Sequence, residues 1–200
     1  SKQDIPLDLT WTNAKPKGTV VIHAGLLFDG KNEKLLTNVD LVVEDSRIKA
    51  IQPHRTNYPA NYRKVDASNL TVMPGLFETH SHLDAQFGEK TGRIWLAYGI
   101  TTVREPGSDP YDAVEQREAW HSGKRPGPFH FLTGALTDGG RIYYNMATAI
   151  GSEAQLKLEL NRASRLGYDL IKTYVRMPDE WQQKITEYAH QNGMTVSSHE

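Results

Sequence analysis

From residue 74 onwards, the sequence alternates between short apolar segments and segments with helical periodicity. The five segments with strand character are Leu76–His82, Ile100–Arg104, Phe129–Thr133, Leu170–Val175 and Thr195–His199. Strands that alternate with helices, at about 25–40 residues per unit, predict a parallel sheet with right-handed crossovers. The sequence therefore predicts an α/β fold, either the first five strands of a (β/α)₈ TIM-type barrel or an open α/β sheet.

Local signals predict where the helices begin. A short helix is expected at Arg93–Tyr98, before a glycine. Asp109 is a candidate N-cap because a proline follows it at the first helical position. Ser152 and Gln155 have the spacing of a capping box, and Pro178 precedes a further helical pattern.

The residues before 74 have a different texture. Residues 1–17 are polar and contain two prolines, which is typical of a linker or an arm. Residues 18–73 contain about five short β-strands joined by turns, which predicts a small β-sandwich or roll. Two of these strands, Lys64–Asp66 and Leu70–Met73, are expected on either side of a turn at 67–69. Residues 74–200 then form the predicted barrel portion.

Composition excludes several classes of function. The net charge is −1 over 200 residues, so the chain has no basic field that would attract nucleic acid or anionic lipid. No run approaches the roughly 18 apolar residues of a membrane span. The chain has no cysteine, so disulfides and thiolate metal sites are excluded.

The pair His80 and His82 is a candidate metal site. Successive strand residues alternate between faces, so a strand Leu76–His82 would place Glu78, His80 and His82 on one face. Two imidazoles about 7 Å apart on one face can converge on one metal ion. The alternative is that the strand ends earlier and both histidines are merely exposed in a polar loop.

Lys172 is unusual for its position in the fourth predicted strand. Alternation places Leu170, Lys172 and Tyr174 on the face opposite to the one that packs under the helices. An unpaired ammonium is costly there, so the amine would lose its proton and could react with CO₂ to give a carbamate. The alternative is a lysine whose ammonium reaches solvent at the strand end.

These candidates share one end of the predicted sheet. His80 and His82 end the first strand, Lys172 lies in the fourth and His199 ends the fifth. Sites in parallel α/β folds lie at the carboxyl ends of the strands. The sequence therefore predicts a site at this end.

Five motifs in this order resemble the amidohydrolase superfamily, especially the branch of imidazolonepropionases and metal-dependent dipeptidases. They are Val-Ile-His-Ala-Gly-Leu-Leu-Phe-Asp-Gly (21–30), Val-Met-Pro-Gly-Leu-Phe-Glu-Thr-His-Ser-His (72–82), Gly-Ile-Thr-Thr-Val-Arg-Glu (99–105), Ile-Lys-Thr-Tyr (171–174) and Ser-Ser-His-Glu (197–200). The opening Ile-Pro-Leu-Asp-Leu-Thr-Trp-Thr also resembles the junction after a β-propeller in propeller-fused members.

The resemblance implies a small β-sandwich followed by a metal-dependent (β/α)₈ barrel. It implies two divalent metal ions, with zinc as the expected metal. His80 and His82 would bind the first ion, carbamylated Lys172 would bridge both, and His199 would bind the second. Arg141, in a Gly-rich loop after the third strand, and Tyr174 are candidate substrate-binding residues.

The function implied is hydrolysis of an amide or peptide bond by a metal-bridging hydroxide. The substrate would be a dipeptide, an N-acyl amino acid or a cyclic amide. The family pattern needs a further His ligand and a catalytic Asp, both expected beyond residue 200. We therefore expect a companion chain or C-terminal half to complete the barrel, and the 200-residue chain alone to be inactive.

Two other functions stay open. The chain could be a non-catalytic fragment or interaction module of a larger assembly. It could also belong to a mononuclear deaminase of the same superfamily, in which Lys172 would have no function. The compartment is undecided between the cytoplasm and, for a propeller-fused parent, the periplasm.

Overall fold

The computed structural model describes residues 12–83 and 85–199. Its strands are β1 (Thr19–Leu27), β2 (Leu36–Glu44), β3 (Arg47–Pro53), β4 (Arg63–Val72), β5 (Leu76–Glu78), β6 (Ile100–Glu105), β7 (Phe129–Leu132), β8 (Leu136–Asp138), β9 (Ala147–Ala149), β10 (Leu170–Thr173) and β11 (Thr195–Ser198). Its helices are α1 (Glu89–Ala97), α2 (Pro110–His121), α3 (Glu153–Leu166) and α4 (Asp179–Gln191), with a 3₁₀ turn at Ala85–Phe87. None of the helices in these two ranges has the length and apolar character to cross a membrane.

The chain divides into two compact units, one of which spans Ala14–Gly75. This unit contains a four-stranded sheet in the order β3-β2-β1-β4, in which β1 and β4 are parallel and the other pairs antiparallel. The first eleven residues of the predicted arm lie outside the described residues, and 12–17 are exposed without regular structure. The facing sheet of a sandwich stays a prediction.

The predicted turn at 67–69 was wrong, because β4 continues through it as one strand. The register between β1 and β4 shifts between Ala24 and Leu26, which absorbs the irregularity without ending the strand. A Cβ on Gly25 would lie 2.0 Å from the Ser68 carbonyl oxygen. Glycine therefore permits the close backbone approach that the shifted register requires.

The second unit, from Leu76 onwards, contains two parallel sheets. One has the order β5-β6-β7 and the other the order β11-β10-β8-β9. They meet beside β7, where the Asp169 amide donates to the Leu132 carbonyl (2.9 Å) and the Asp169 carboxylate accepts from the Leu132 amide (3.0 Å). The mixed α/β character predicted from the sequence is confirmed.

An apolar core lies between the strands and the helices of this unit. Its buried side chains include Leu156 and Leu160 of α3, Ile185 and Ala189 of α4, and Ile171 of β10. Ile171 points toward the helices, so the neighbouring Lys172 points to the opposite face of the sheet. The alternation predicted for this strand therefore holds.

The predicted caps largely hold. Asp109 accepts hydrogen bonds from the amides of Tyr111 and Asp112 at the start of α2. At α3, the Ser152 hydroxyl accepts from the Gln155 amide (3.3 Å), and the Gln155 side chain accepts from the amide of Gly151. The reciprocal bond therefore falls one residue earlier than in a standard capping box.

Several predicted boundaries were wrong. The first strand of this unit ends at Glu78, not at His82, and β10 ends at Thr173, not at Val175. Helix α1 begins at Glu89, four residues before the predicted start. The predicted Gly-rich loop contains β8, and β9 was missed altogether.

Candidate functional site

His80 and His82 lie in the loop after β5, where no strand ladder fixes them. Two hydrogen bonds shape this loop: the Glu78 carboxylate accepts from the His80 amide (2.9 Å), and the Ser81 amide donates to the Arg104 carbonyl (3.2 Å). The centroids of the two imidazole rings are 5.4 Å apart. The prediction that they share a strand face was wrong. As the alternative interpretation expected, the strand ends before them and both side chains are exposed, but the loop still brings them side by side.

The His82 ring has a defined orientation. Its Nδ1 lies 2.6 Å from the Gly107 carbonyl oxygen, which can only accept, so Nδ1 carries the proton. The other nitrogen, Nε2, is then the one with a lone pair, as metal-binding histidines require. Gly107 has a φ of +156° and a Cβ there would lie 2.3 Å from Leu136 Cδ2, so glycine is needed at this carbonyl.

Lys172 is buried in β10, with 2% of its surface exposed. Burial lowers the pKa of its amine below the usual value, and the positive charge of Arg104 lowers it further. Its side chain lines a cavity of about 110 Å³ together with His82, Tyr174 and His199. The lysine thus faces the histidines rather than the helices.

His199 follows β11, and its ring lies 6.0 Å from that of His80. Burial lowers the pKa of His80, and the positive charges of His82, Lys172 and His199 act in the same direction. A neutral imidazole is the form that binds metals. The structure therefore brings His80, His82, Lys172 and His199 together at the carboxyl ends of the strands.

The donor set fits part of a metal centre. Among residues 12–83 and 85–199, no group of three His, Cys, Asp or Glu side chains is arranged to hold a metal ion. The donors present are three imidazoles and an amine with a lowered pKa, which suits divalent metals once the amine is carbamylated. This set is incomplete by itself.

The two candidate substrate-binding residues differ in placement. Arg141 is exposed on the loop between β8 and β9 and does not line the cavity next to Lys172. Tyr174 lines that cavity, and its ring lies 5.0 Å from His199. A hydrogen bond with Tyr144 raises the pKa of Tyr174, with burial acting in the same direction.

Sequence reasoning missed two residues near this cluster. Tyr144, on the loop after β8, lines the cavity beside Tyr174. Glu105, at the end of β6, is buried and hydrogen-bonded to the backbone just after His82. The only signal for Glu105 was its place at a strand end within a family-like motif, and no signal singled out Tyr144.

No family model matches the chain, but several known proteins are similar in sequence. An uncharacterized protein of Mycobacterium tuberculosis is 29% identical over 160 residues, which cover 78% of this chain and 26% of that protein. An imidazolonepropionase of Picrophilus torridus is 32% identical over 80 residues, or 38% of this chain and 19% of the relative. An N-acyl-D-glutamate deacylase of Alcaligenes xylosoxydans xylosoxydans is 36% identical over 85 residues, which cover 42% of this chain and 17% of the relative.

Solved structures are similar over nearly the whole chain. A Xaa-Pro dipeptidase with methionine bound in its active site has a TM-score of 0.76 at 21% identity, covering 91% of this chain and 56% of that one. A protein of Bifidobacterium longum assigned as a prolidase has a TM-score of 0.76 at 26% identity, covering 90% and 49%. A protein described as an amidohydrolase has a TM-score of 0.76 at 20% identity, covering 91% and 56%.

The chain has the fold of the amidohydrolases. The resemblance read from the sequence motifs is thereby confirmed. Those relatives whose names state an activity, namely the imidazolonepropionase, the N-acyl-D-glutamate deacylase and the Xaa-Pro dipeptidase, are hydrolases that act on C–N bonds. The chain spans about half the length of these amidohydrolase structures and about a quarter or less of the curated relatives.

Proposed function

We propose that this chain is the N-terminal portion of a metal-dependent amidohydrolase that cleaves an amide or peptide bond. One observation carries the proposal: His80, His82, Lys172 and His199 meet at the carboxyl ends of parallel strands. In this proposal, residues 18–73 belong to a small β-sandwich. Residues 74–200 form the first five strands of a TIM-type barrel.

The four residues would hold two divalent ions, with zinc as the expected metal. His80 and His82 would bind the first ion and His199 the second. When bound, the ions supply an activated water and a Lewis acid for the scissile carbonyl. The chain's own contribution is to favour the neutral form of His80 through burial and to orient the His82 ring through the Gly107 carbonyl.

Lys172 would bridge the ions as a carbamate. A neutral amine forms a C–N bond with CO₂ and releases one proton to solvent, which leaves an anionic carbamate. Its burial supports this step, because burial lowers the pKa of the Lys172 amine and so raises the fraction of the neutral, nucleophilic form. Its 2% exposure supports the carbamate over the alternative of a solvated lysine at the strand end.

The substrate would be a dipeptide, an N-acyl amino acid or a cyclic amide. A second cavity of about 570 Å³ also reaches His82 and is lined by Glu105, Ser108 and Gln116. This volume is within the range of small-molecule sites. Tyr144 and Tyr174 would contact the substrate at the smaller cavity, whereas the exposed Arg141 would need a movement of its loop to reach it.

A companion segment would complete the site. The remaining ligands and the proton-transferring Asp are expected from polypeptide beyond residue 200, consistent with a chain that spans about half of its structural neighbours. One observation favours the alternative of a non-catalytic module: the described residues do not form a three-ligand metal site. A measurement of metal binding distinguishes the metal-dependent hydrolase from the non-catalytic module.

The test is metal titration of the 200-residue chain by calorimetry. We expect Zn²⁺ binding that His80→Ala or His199→Ala weakens at least tenfold. The exposed His190 on α4 provides a matched control, and His190→Ala should bind like the unmodified chain. Equal zinc affinity in all four proteins would contradict the proposal.

The carbamate has its own readout. With ¹³C-bicarbonate and Zn²⁺, a carbamate resonance should appear in the ¹³C NMR spectrum of the unmodified chain and be absent from Lys172→Met. One bound metal and no carbamate resonance would favour the mononuclear deaminase instead.

A further inference from the structure

Glu105 is a buried carboxylate that none of the proposed ligand roles uses. Only 1% of its surface is exposed, and it lies at the carboxyl end of β6. Its Oε1 accepts from the amide of Leu83 at 2.7 Å, and its Oε2 lies 3.0 Å from Nε2 of His130. A buried carboxylate that takes part in two specific hydrogen bonds restrains the groups on the other side of those bonds.

Leu83 directly follows His82, so Glu105 acts on the backbone of the histidine loop. The same short segment of chain also orients the His82 ring through the Gly107 carbonyl. Because β5 ends at Glu78, no ladder continues to His82. Hydrogen bonds between residues 104–107 and residues 81–83 therefore hold the histidine loop in place of a strand ladder.

His130 is the second hydrogen-bond partner of the Glu105 carboxylate. It lies in β7, is fully buried and has no hydrogen-bond partner for its Nδ1 among the residues that the structure describes. A protonated ring would leave that buried N–H unpaired, so the neutral ring with its proton on Nε2 is the form that fits. His130 therefore donates to Glu105 and holds its carboxylate in place.

We propose that Glu105 and His130 form a positioning pair that sets the orientation of His82 and thereby the metal affinity of the site. This inference rests on the proposed function. Neither residue is one of the proposed metal ligands; Glu105 acts through the Leu83 amide, and His130 acts through Glu105. Removal of such supporting contacts typically costs 10–100-fold in metal affinity.

The first test needs no metal. In Glu105→Ala, we expect the Leu83 amide to exchange with solvent at least ten times faster. We also expect the His82 ring to lose the Nδ1–H tautomer in ¹⁵N NMR. Unchanged Leu83 exchange and an unchanged His82 tautomer would overturn the inference, whether or not the chain binds zinc.

Glu105→Gln is the informative second variant, and it keeps the inference testable where Glu105→Ala does not fold. Its amide oxygen can still accept from Leu83, but its NH₂ must then face His130 Nε2. His130 should respond by moving its proton to Nδ1, while His82 keeps its tautomer. A His130 that stays in the Nε2–H form would show that the pair is not coupled and would contradict the inference.

The metal readout follows with a matched control. Asp40 is also fully buried and lies 2.8 Å from a histidine, His54, but belongs to the unit Ala14–Gly75. We expect Glu105→Ala to weaken Zn²⁺ binding about 10–100-fold and Asp40→Asn to leave it unchanged. Equal losses in both variants would overturn the positioning role. Absence of zinc binding in the unmodified chain would instead refute the proposed function.

Discussion

Tyr168 contributes a stability to the fold that is lost at alkaline pH. Its phenol is buried against the backbone of Gly134, where an added Cβ would lie 2.0 Å from the hydroxyl oxygen. Burial raises the pKa of Tyr168 to about 12, although the positive charge of Arg162 opposes the rise. The neutral phenol is therefore favoured in the folded state more than in the unfolded chain.

The sign of the pH dependence follows from this shift. The contribution of Tyr168 is fully present below the unfolded pKa near 10 and is lost as pH rises toward the folded value of about 12. A pKa rise of this size corresponds to about 2–3 kcal/mol of unfolding free energy. Urea denaturation at pH 9 and pH 11.5 should show this loss in the unmodified chain and a smaller one in Tyr168→Phe. The exposed Tyr98 serves as control. If Tyr98→Phe and Tyr168→Phe lost the same unfolding free energy between pH 9 and pH 11.5, Tyr168 would not be the source of the pH dependence.

The individual residues of the candidate site were only partly predictable from the sequence. Lys172 could be found because strand alternation and the polarity of its neighbours fix its face locally. Glu105 could not, because its two donors, Leu83 and His130, lie 22 and 25 residues away in sequence. Contacts at such distances leave no periodic signal, and they form only when separate strands align.

Glycine in helix α1 shows how packing between elements overrides helix propensity. Gly92 is buried where α1 meets the turn before β7, and a Cβ there would lie 2.1 Å from the Pro126 carbonyl oxygen and 2.9 Å from Trp120 Nε1. Alanine is better than glycine in a free helix by about 1 kcal/mol. Here the clash is with backbone, which cannot swing away, so α1 would have to shift.

We therefore expect Gly92→Ala to destabilise the chain by about 1–3 kcal/mol, despite its better helix propensity. Chemical denaturation measures the change. Gly140 is the matched control, because it has an ordinary φ and no other residue lies within 4 Å of the place that a methyl group would occupy. Gly140→Ala should be neutral within about 0.5 kcal/mol. A stabilised Gly92→Ala would show that α1 is not held against this turn.

Element types were more predictable than element ends. Side-chain caps are local, so Asp109 and Ser152 marked the starts of α2 and α3 correctly. The end of β5 was missed because the Glu78 carboxylate bonds the His80 amide in place of a strand partner. Strands β8 and β9 have three residues each, too few for alternation to be recognised in a sequence.

On the scale of the molecule, one sheet face of the second unit carries exposed aromatic side chains. Phe77 is 58% exposed and Phe129 50% exposed, and both approach the ring of Phe131, at 6.4 and 5.0 Å. They lie on β5 and β7, on the face away from Leu132, which is fully buried. Strands β5 and β11 each pair on one side only within the described chain. Apolar faces and unpaired strand edges of this kind favour association with other polypeptides.

The proposed companion segment would cover this face, so the 200-residue chain alone should bind 8-anilinonaphthalene-1-sulfonate and self-associate. We expect the double variant Phe77→Ser/Phe129→Ser to lower the dye fluorescence at least twofold. We also expect it to shift the sedimentation profile toward monomer, because both substituted side chains are exposed aromatic residues of this face. Ile48 of the other unit is 65% exposed and supplies the control, since Ile48→Ser removes a similar exposed surface that no companion segment is proposed to cover. Equal effects of the control and the double variant would contradict the prediction that a companion segment covers this face. An unmodified chain that is monomeric and binds no dye would contradict it as well.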